Sequence, residues 1–487
     1  MKSIKARTIW GETDKKGASS RELICRLRPA MALVLAALAT GCGSSYSHSS
    51  VDPPVNPPQL YFSPRMDAGS QATYAVDQTA KTFVRSTYST GGATITHAGQ
   101  ISTLPNGIVS LAATYIYGGG NGTVTIPQDA PITGSWAVEL SGQASLIELT
   151  IPSEETSQGV MTSAVNYFTP AVPVSSCPDL TKPAIFQFVT IPRNLNASSS
   201  GSKIVPGSWN PNLETAYGSV QIATNGTVFK FTSINQHTMP SGSGGEPGTP
   251  SVPAPGNATA DCTSTYYGQV ISYPGTSAVI GGLVTPTATI GIGPTGFLVE
   301  DAGSGMADPA TGLQYQNLLG SGYGAIGLLQ PSSDLSSSLA GAQYQGFLYA
   351  PGNSSSAFSL ISSFGSSANQ QACATLQGQL TAAQLQPSAN TIYGGEFTGN
   401  DPASSTLGNC DVAIDLGTES TTGHGLYTGA TVYVGSAFPR NGTGSVYSFP
   451  AVAVAGQLKG KNAIFIVGAD TTGTPSRAWG IYLFQSN

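Results

Sequence analysis

From residue 60 onwards short apolar runs alternate with Gly, Pro, Asn and Ser breaks, a rhythm that predicts strands joined by turns. A strand, a short turn and a second strand recur at Tyr74–Arg85, Trp136–Leu149, Tyr217–Phe231, Thr287–Asp301, Tyr344–Phe364, Val412–Val434 and Val452–Asp470, seven hairpins in all. Between them lie single strands that close on Pro or Gln, among them Tyr61–Pro64, Phe188–Pro192, Val270–Pro274, Ile326–Pro331 and Ile481–Gln485. Asn-Gly at Asn106, Asn121, Asn225 and Asn441 marks tight hairpin turns. Only Ala368–Gln386 reads as a helix, with Ala372, Leu376 and Leu380 at four-residue spacing and Pro387 as its stop.

The best internal match pairs Phe297-Leu-Val-Glu-Asp and Ile326-Gly-Leu-Leu-Gln with Phe465-Ile-Val-Gly-Ala-Asp and Ile481-Tyr-Leu-Phe-Gln. A hairpin plus a connecting strand every 60 or so residues predicts an all-β fold of degenerate hairpin repeats, β-propeller-like with about seven units. In such a ring the first strand (Tyr61–Pro64) pairs with the last (Ile481–Phe484). The alternative is two tandem antiparallel β-barrels or sandwiches, with the Gly/Ser/Pro-rich stretch Met239–Ala260 as their linker.

Ahead of this domain, Arg26 and Arg28 precede Met31-Ala-Leu-Val-Leu-Ala-Ala-Leu-Ala-Thr-Gly-Cys42. That is the layout of a secretory signal, and it falls well short of the roughly 20 apolar residues a membrane-spanning helix needs. Ala39-Thr40-Gly41-Cys42 resembles the lipobox of bacterial lipoproteins, with Ala39 in place of the usual Leu. The resemblance implies cleavage before Cys42 and acylation of that residue, an anchor that two or three acyl chains make effectively permanent. Gly43 and Ser44, rather than Asp, follow the Cys, which in that family implies an outer-membrane or cell-surface destination. The chain then divides into a signal peptide (1–41), a Ser/Pro-rich tether (42–59) and an all-β repeat domain (60–487), with a possible internal boundary at 239–260. Extended as polyproline II at about 3.1 Å per residue, the tether reaches about 50 Å.

Four cysteines lie outside the signal and the lipobox: Cys177, Cys262, Cys373 and Cys410. In an exported chain they predict two disulfides with three possible connectivities, and none has the C-x-x-C spacing of a metal or redox site. Beyond residue 41 there are 11 basic against 22 acidic side chains, and no Lys or Arg between Lys230 and Arg440. Nucleic acid is excluded as a partner, because its phosphates demand a basic footprint. Ser, Thr, Asn, Gln and Gly must cover most of the surface.

The motifs of catalysis are sparse. Gly-x-Ser-x-Gly, His-Glu-x-x-His and the phosphate-binding Gly loops do not occur. Ser200-Gly-Ser-Lys203 matches Ser-x-x-Lys but sits in an Asn/Ser/Gly loop without the accompanying motifs. His48, His97, His237 and His424 are isolated along the chain and read as surface residues, so no metal centre is expected. Asp301 to Asp308, Asn400-Asp401 and Asp411 with Asp415 are too sparse for a calcium loop, and Asp470-Thr-Thr-Gly-Thr reads as a hairpin turn. No cofactor is implied.

Paired carboxylates are the one chemistry that spacing leaves open, since a glycosidase needs only two acids about 5–9.5 Å apart in space. Glu139, Glu148, Glu300, Asp301, Glu396, Asp411 and Asp415 lie in or beside predicted strands. Trp136, Trp209 and Trp479 are candidates for stacking on sugars, though Trp136 and Trp479 fall at strand starts that look equivalent and read as core. The sequence therefore points to a non-catalytic, surface-tethered recognition or scaffold module acting on an envelope or extracellular protein or glycan. Its rivals are an extracellular glycan-active hydrolase and an envelope structural or assembly lipoprotein.

Overall fold

The computed structural model describes residues 59–63, 70–77, 80–89, 92–117, 124–125, 132–140, 142–151, 155–156, 165–173, 180, 182–190, 216–225, 228–238, 257–265, 268–273, 276–280, 283–285, 288–300, 314–315, 325–349, 358–364, 373–397, 410–438, 444–470 and 477–486. Within them 24 of the 29 strands form three closed barrels, each an eight-stranded antiparallel meander, and the other five form one two-stranded and one three-stranded sheet. The first runs from Gln59–Ser63 to Val165–Pro173, the second from Ala184–Thr190 to Ala325–Leu329, and the third from Tyr344–Tyr349 to Arg477–Gln485.

The propeller expectation is overturned. Each hairpin continues its neighbour's hydrogen-bond ladder, so strands add edge to edge until the sheet meets itself, which leaves no open edge to cover. Closure is local: Tyr61 pairs with Tyr74 on one side and Pro173 on the other, while Tyr344 pairs with Gln485. The first strand of the domain therefore does not join the last. The barrel alternative holds in kind, with three barrels instead of two, and the strands Val228–Thr238 and Asn257–Thr265 that flank the stretch 239–256 pair with each other inside the second.

The turn chemistry follows the sequence. Asn106-Gly107 joins two strands with Gly107 at φ +89° and the Asn106 Oδ1 accepting from the Ile108 N–H at 3.2 Å. Asn225 ends the strand paired with the one beginning at Val228. Asp470 pairs with Arg477 across a hairpin, as expected. Asn121 and Asn441 lie outside the described residues.

Two helices occur among the described residues. The predicted one is nine residues long (α2, Ala374–Ala382), buries Leu376 and Leu380, and stops before the left-handed Gln384 at φ +59°. A shorter one (α1, Ser336–Gly341) connects the second barrel to the third and was not expected, because only Leu339 and Ala340 of its six residues are buried.

Both faces of the third barrel's sheet are apolar, and this is why its strands read as unbroken hydrophobic runs. Ala451, Ala453, Ala455, Ile464, Ile466, Ile481 and Leu483 pack into one cluster, and the alternating Val452, Val454, Phe465, Val467, Tyr482 and Phe484 into another. The first cluster fills the lumen, as the narrow interior of an eight-stranded barrel requires. The second draws on all three barrels. Phe168 of the first stacks on Tyr482 of the third at 4.8 Å, and Phe297 of the second meets Phe465 at 5.8 Å. Each such burial contributes about 1.5–3 kcal/mol. With the third barrel's lumen filled, a ligand has to be met at its rim or its outer surface.

Trp479 is core, 2% exposed beside Phe449 and Phe438 at 5.0 and 5.4 Å. Trp136 is partly buried against the shared cluster. The two are not equivalent: Trp136 lies in the sixth strand of its barrel and Trp479 in the eighth. Trp209 lies outside the described residues.

Candidate functional site

At one rim of the third barrel the strand Val412–Asp415 gives way to a ten-residue loop, Leu416–Gly425, before Leu426–Val434 begins. Asp415 fixes its start by accepting from the Ser388 N–H (2.7 Å), the Ser388 hydroxyl (2.5 Å) and the Gly417 N–H (2.9 Å). The Ser420 N–H donates to the Leu426 carbonyl at 2.7 Å and pulls the loop back on itself. Within it Glu419 is fully engaged: Oε1 accepts from the Gly425 N–H at 2.6 Å, and Oε2 lies 2.9 Å from His424 Nδ1. A carboxylate accepts only, so Nδ1 carries the hydrogen and Nε2 is left toward solvent.

The loop leans on the second barrel. A side chain at Gly423 would meet Gln187 Nε2 at 2.6 Å, and one at Gly425, which holds φ +77°, would strike the Ala455 carbonyl and the ring of Pro331. Gln187 belongs to the strand Ala184–Thr190 and is wholly buried. Its Oε1 accepts from the Ser219 hydroxyl at 2.5 Å, and its Nε2 donates to Gln330 Oε1 at 3.3 Å. The Gln330 backbone N–H is tied to the Ile185 carbonyl at 2.8 Å. Ser219, Gln187 and Gln330 thus form a relay that orients the Gln330 carboxamide from beneath.

Between the loop and the connector 330–336 opens a pocket of about 660 Å³. Gln330, Asp334 and Ser336 line one wall, Asn390 a second, and the loop from Gly417 to His424 the rest. Asp334 accepts from the Ser336 hydroxyl (2.6 Å) and N–H (2.8 Å). Those two bonds, hydroxyl first, lower its pKa from the ordinary carboxylate value, helped by His424 nearby. The Ser336 hydroxyl also lies 3.3 Å from that of the buried Tyr427. The Asn390 Nδ2 donates to the Gly417 carbonyl at 3.4 Å. Among the described residues no Lys, Arg, Phe, Tyr or Trp side chain lines the pocket.

Among the described residues, none of the carboxylates singled out in the sequence lines it. Asp415 is consumed in the turn that starts the loop. Glu396 and Asp411 are brought together near α2, both buried. There burial, and next the negative charge of Glu396, push Asp411 up to about 7. Glu300 is buried in the second barrel and Glu139 half-buried in the first. Glu148 is in the strand Ala144–Ile151, its side chain outside the described residues, as is Asp301 entirely.

Cys373 and Cys410 form a disulfide beside Asp411, with Cα atoms 5.2 Å apart. Cys42, Cys177 and the Ser200–Lys203 loop lie outside the described residues, and Cys262 is described only as part of the strand Asn257–Thr265. Of the histidines, His424 alone has a described side chain; His97 and His237 are placed by backbone in strands, and His48 is outside. Among the described residues no three His, Cys, Asp or Glu side chains gather as a metal site. Of the candidate calcium acids, Asp411 precedes the strand Val412–Asp415 and lies beside Glu396, Asp415 ends it and is bonded to Ser388, while Asp301, Asp308, Asn400 and Asp401 are not described.

Sequence reasoning missed Glu419, Gln187, Gln330 and Asp334. Its one usable signal was the His424-Gly425 pair inside a run of Ser, Thr and Gly, which marks an ordered turn only once the bond to Glu419 is seen.

No protein-family model and no curated protein sequence matches the chain. Eight chains of solved structures match it. A Tyr-167-Ala and Trp-176-Ala double mutant of transferrin binding protein B from Haemophilus parasuis Hp5 is 6% identical over 89% of this chain and 76% of that one, with a TM-score of 0.24. Intact Ap-TbpB, with N and C lobes, is 9% identical over 89% and 77%, at 0.21. The isotype 1 protein of serogroup B Neisseria meningitidis is 10% identical over 88% and 76%, at 0.20. Overlap this low carries no argument about function, which rests on the residues above.

Proposed function

We propose that the chain is a surface-tethered, non-catalytic recognition lipoprotein of the bacterial envelope. Lipid on Cys42 is its anchor, residues 42–59 its tether, and the rim of the third barrel its recognition surface, facing an extracellular or envelope partner. One observation carries the reading: the described pocket is lined mainly by hydroxyls and carboxamides, its own acids Asp334 and Glu419 are engaged by Ser336, Gly425 and His424, and among the described residues none of the strand carboxylates faces it. Such a surface binds by hydrogen bonds.

Two measurements test it. Mass spectrometry of the mature N-terminal peptide should find an acylated Cys42, and an unmodified Cys42 sinks the anchor. Turnover assays against polysaccharides, esters and peptides should stay at background; hydrolysis that disappears in an otherwise folded variant replaces recognition with catalysis.

The second reading, a glycan-active hydrolase, draws support from the Glu396 and Asp411 pair, since a carboxyl raised to about 7 suits a general acid. Against it, both residues are less than a tenth exposed, so a substrate has no direct approach to either side chain. Activity lost in D411N would reverse the order of the two readings.

A further inference from the structure

We propose that the pocket between the 330–336 connector and the 416–425 loop binds an uncharged saccharide. The proposal rests on the recognition reading and names the ligand class of that site. At about 660 Å³ the pocket falls within the range of roughly 300–1,000 Å³ typical of small-ligand sites. Most such sites are lined by apolar side chains with a few polar groups, whereas here every lining side chain ends in a hydroxyl, carboxamide, carboxylate or imidazole, and their carbon stems and two glycines share the exposed surface with those polar ends.

The ligand must therefore carry many hydrogen-bonding groups, each able to donate and accept, interleaved with small C–H patches. A sugar does this, and a peptide, which needs a strand edge or apolar anchors, does not. Asp334 and Glu419, with no Lys or Arg among the described lining residues, disfavour phosphate, sulfate and uronic acids.

The groups are also pre-set, which lowers the entropic cost of binding. Ser219 and Gln187 hold the Gln330 Oε1, which leaves the Gln330 NH₂ as a donor. Glu419 holds the His424 Nδ1, which leaves Nε2 for the ligand. Gly417 holds the Asn390 NH₂, which leaves its Oδ1 as an acceptor. Gln187 is wholly buried and spends its carboxamide on this arrangement, so the second barrel helps to build a site carried mainly by the third.

Saturation-transfer NMR and calorimetry on the full chain test the assignment. The probes are glucose, galactose, mannose, N-acetylglucosamine and their short oligomers, with glucuronic acid and inorganic phosphate as anionic controls. At least one neutral sugar should bind and both anions should not. H424A, at an exposed position, and Q330A should each weaken binding by about fivefold to a hundredfold, the equivalent of a lost hydrogen bond or an orphaned partner. D411N, outside the pocket, should bind as the parent does.

No binding by any neutral sugar, or binding indifferent to both H424A and Q330A, overturns the proposal. An envelope protein captured while no sugar binds would overturn it and support the recognition reading. Cleavage of a bound oligosaccharide would uphold the ligand class and overturn the non-catalytic reading.

Discussion

Asp411 carries a carboxyl into a place where its charge is disfavoured twice, by burial and by Glu396. Its pKa of about 7 in the folded chain lies above the 3.8 of an ordinary Asp. Between those values the native protein keeps a proton that the unfolded chain has released, so stability falls as pH rises through that window. The slope is at most about 1.4 kcal/mol per pH unit. D411N keeps the shape and removes the charge. Its urea midpoint should exceed the parent's at pH 8 and match it near pH 4; a parent midpoint that climbs from pH 4 to 8, with D411N following, contradicts this account. The adjoining Cys373–Cys410 bond closes a separation of 37 residues. The C373S/C410S double variant should lose about 2–4 kcal/mol in equilibrium unfolding. Sequence alone left three pairings of the four cysteines open. With this one made, peptide mapping should find Cys177 joined to Cys262. The pairing of Glu396 with Asp411 was not legible, because 14 residues separate them and only the barrel register brings Gly394 opposite Val412.

The loop Leu416–Gly425 shows what can and cannot be read at the scale of an element. Its Gly, Ser and Thr content announces a turn, whereas the fold of the Asp415 side chain onto the Gly417 N–H was not foreseen, Asp415 reading only as a candidate acid. The contact with the second barrel leaves no local trace, since Gly423 meets Gln187 across 236 residues of chain. A methyl at Gly423 must push Gln187 Nε2 away or lift the loop. G423A should cost about 1–3 kcal/mol, as overpacking does, and weaken any ligand of the pocket in step with H424A. A G423A protein as stable as its parent and unchanged in binding would show that the relay does not support the site. Helix α2 was legible because Leu376 and Leu380 sit one turn apart on a buried face. Helix α1 was not, its six residues being held by Asp334 at one end and the Tyr344 hydroxyl on the Leu339 carbonyl (2.9 Å) near the other.

At the scale of the whole molecule the seven hairpins read from the sequence are present, the paired strands Gly92–Thr103 and Val109–Tyr117 were not among them, and the closure differs. The match between Phe297–Gln330 and Phe465–Gln485 is real, for each pair supplies the last two strands of a barrel. Its period is the barrel, though, and the spacing of about 60 residues that suggested blades is only the recurrence of hairpins along a meander. Hairpins look the same locally whether their outer strands find a neighbour in the same sheet or stop. What decides is apolarity on both faces, as in Val452–Ala455 and Ala463–Val467, because one face must fill a lumen and the other needs a second barrel. The shared cluster of Phe168, Phe297, Phe465 and Tyr482 makes a testable demand. Residues 58–330 and 331–487 each contain whole barrels, yet separating them uncovers that cluster on both sides. Expressed alone, each fragment should bind a hydrophobic dye and unfold at lower urea than the parent; expressed together, they should co-purify and recover the parent's midpoint. Two monomeric fragments, each as stable as the intact chain and indifferent to the other, would show that the barrels are independent beads and that a pocket built from two of them is not held in place by their packing.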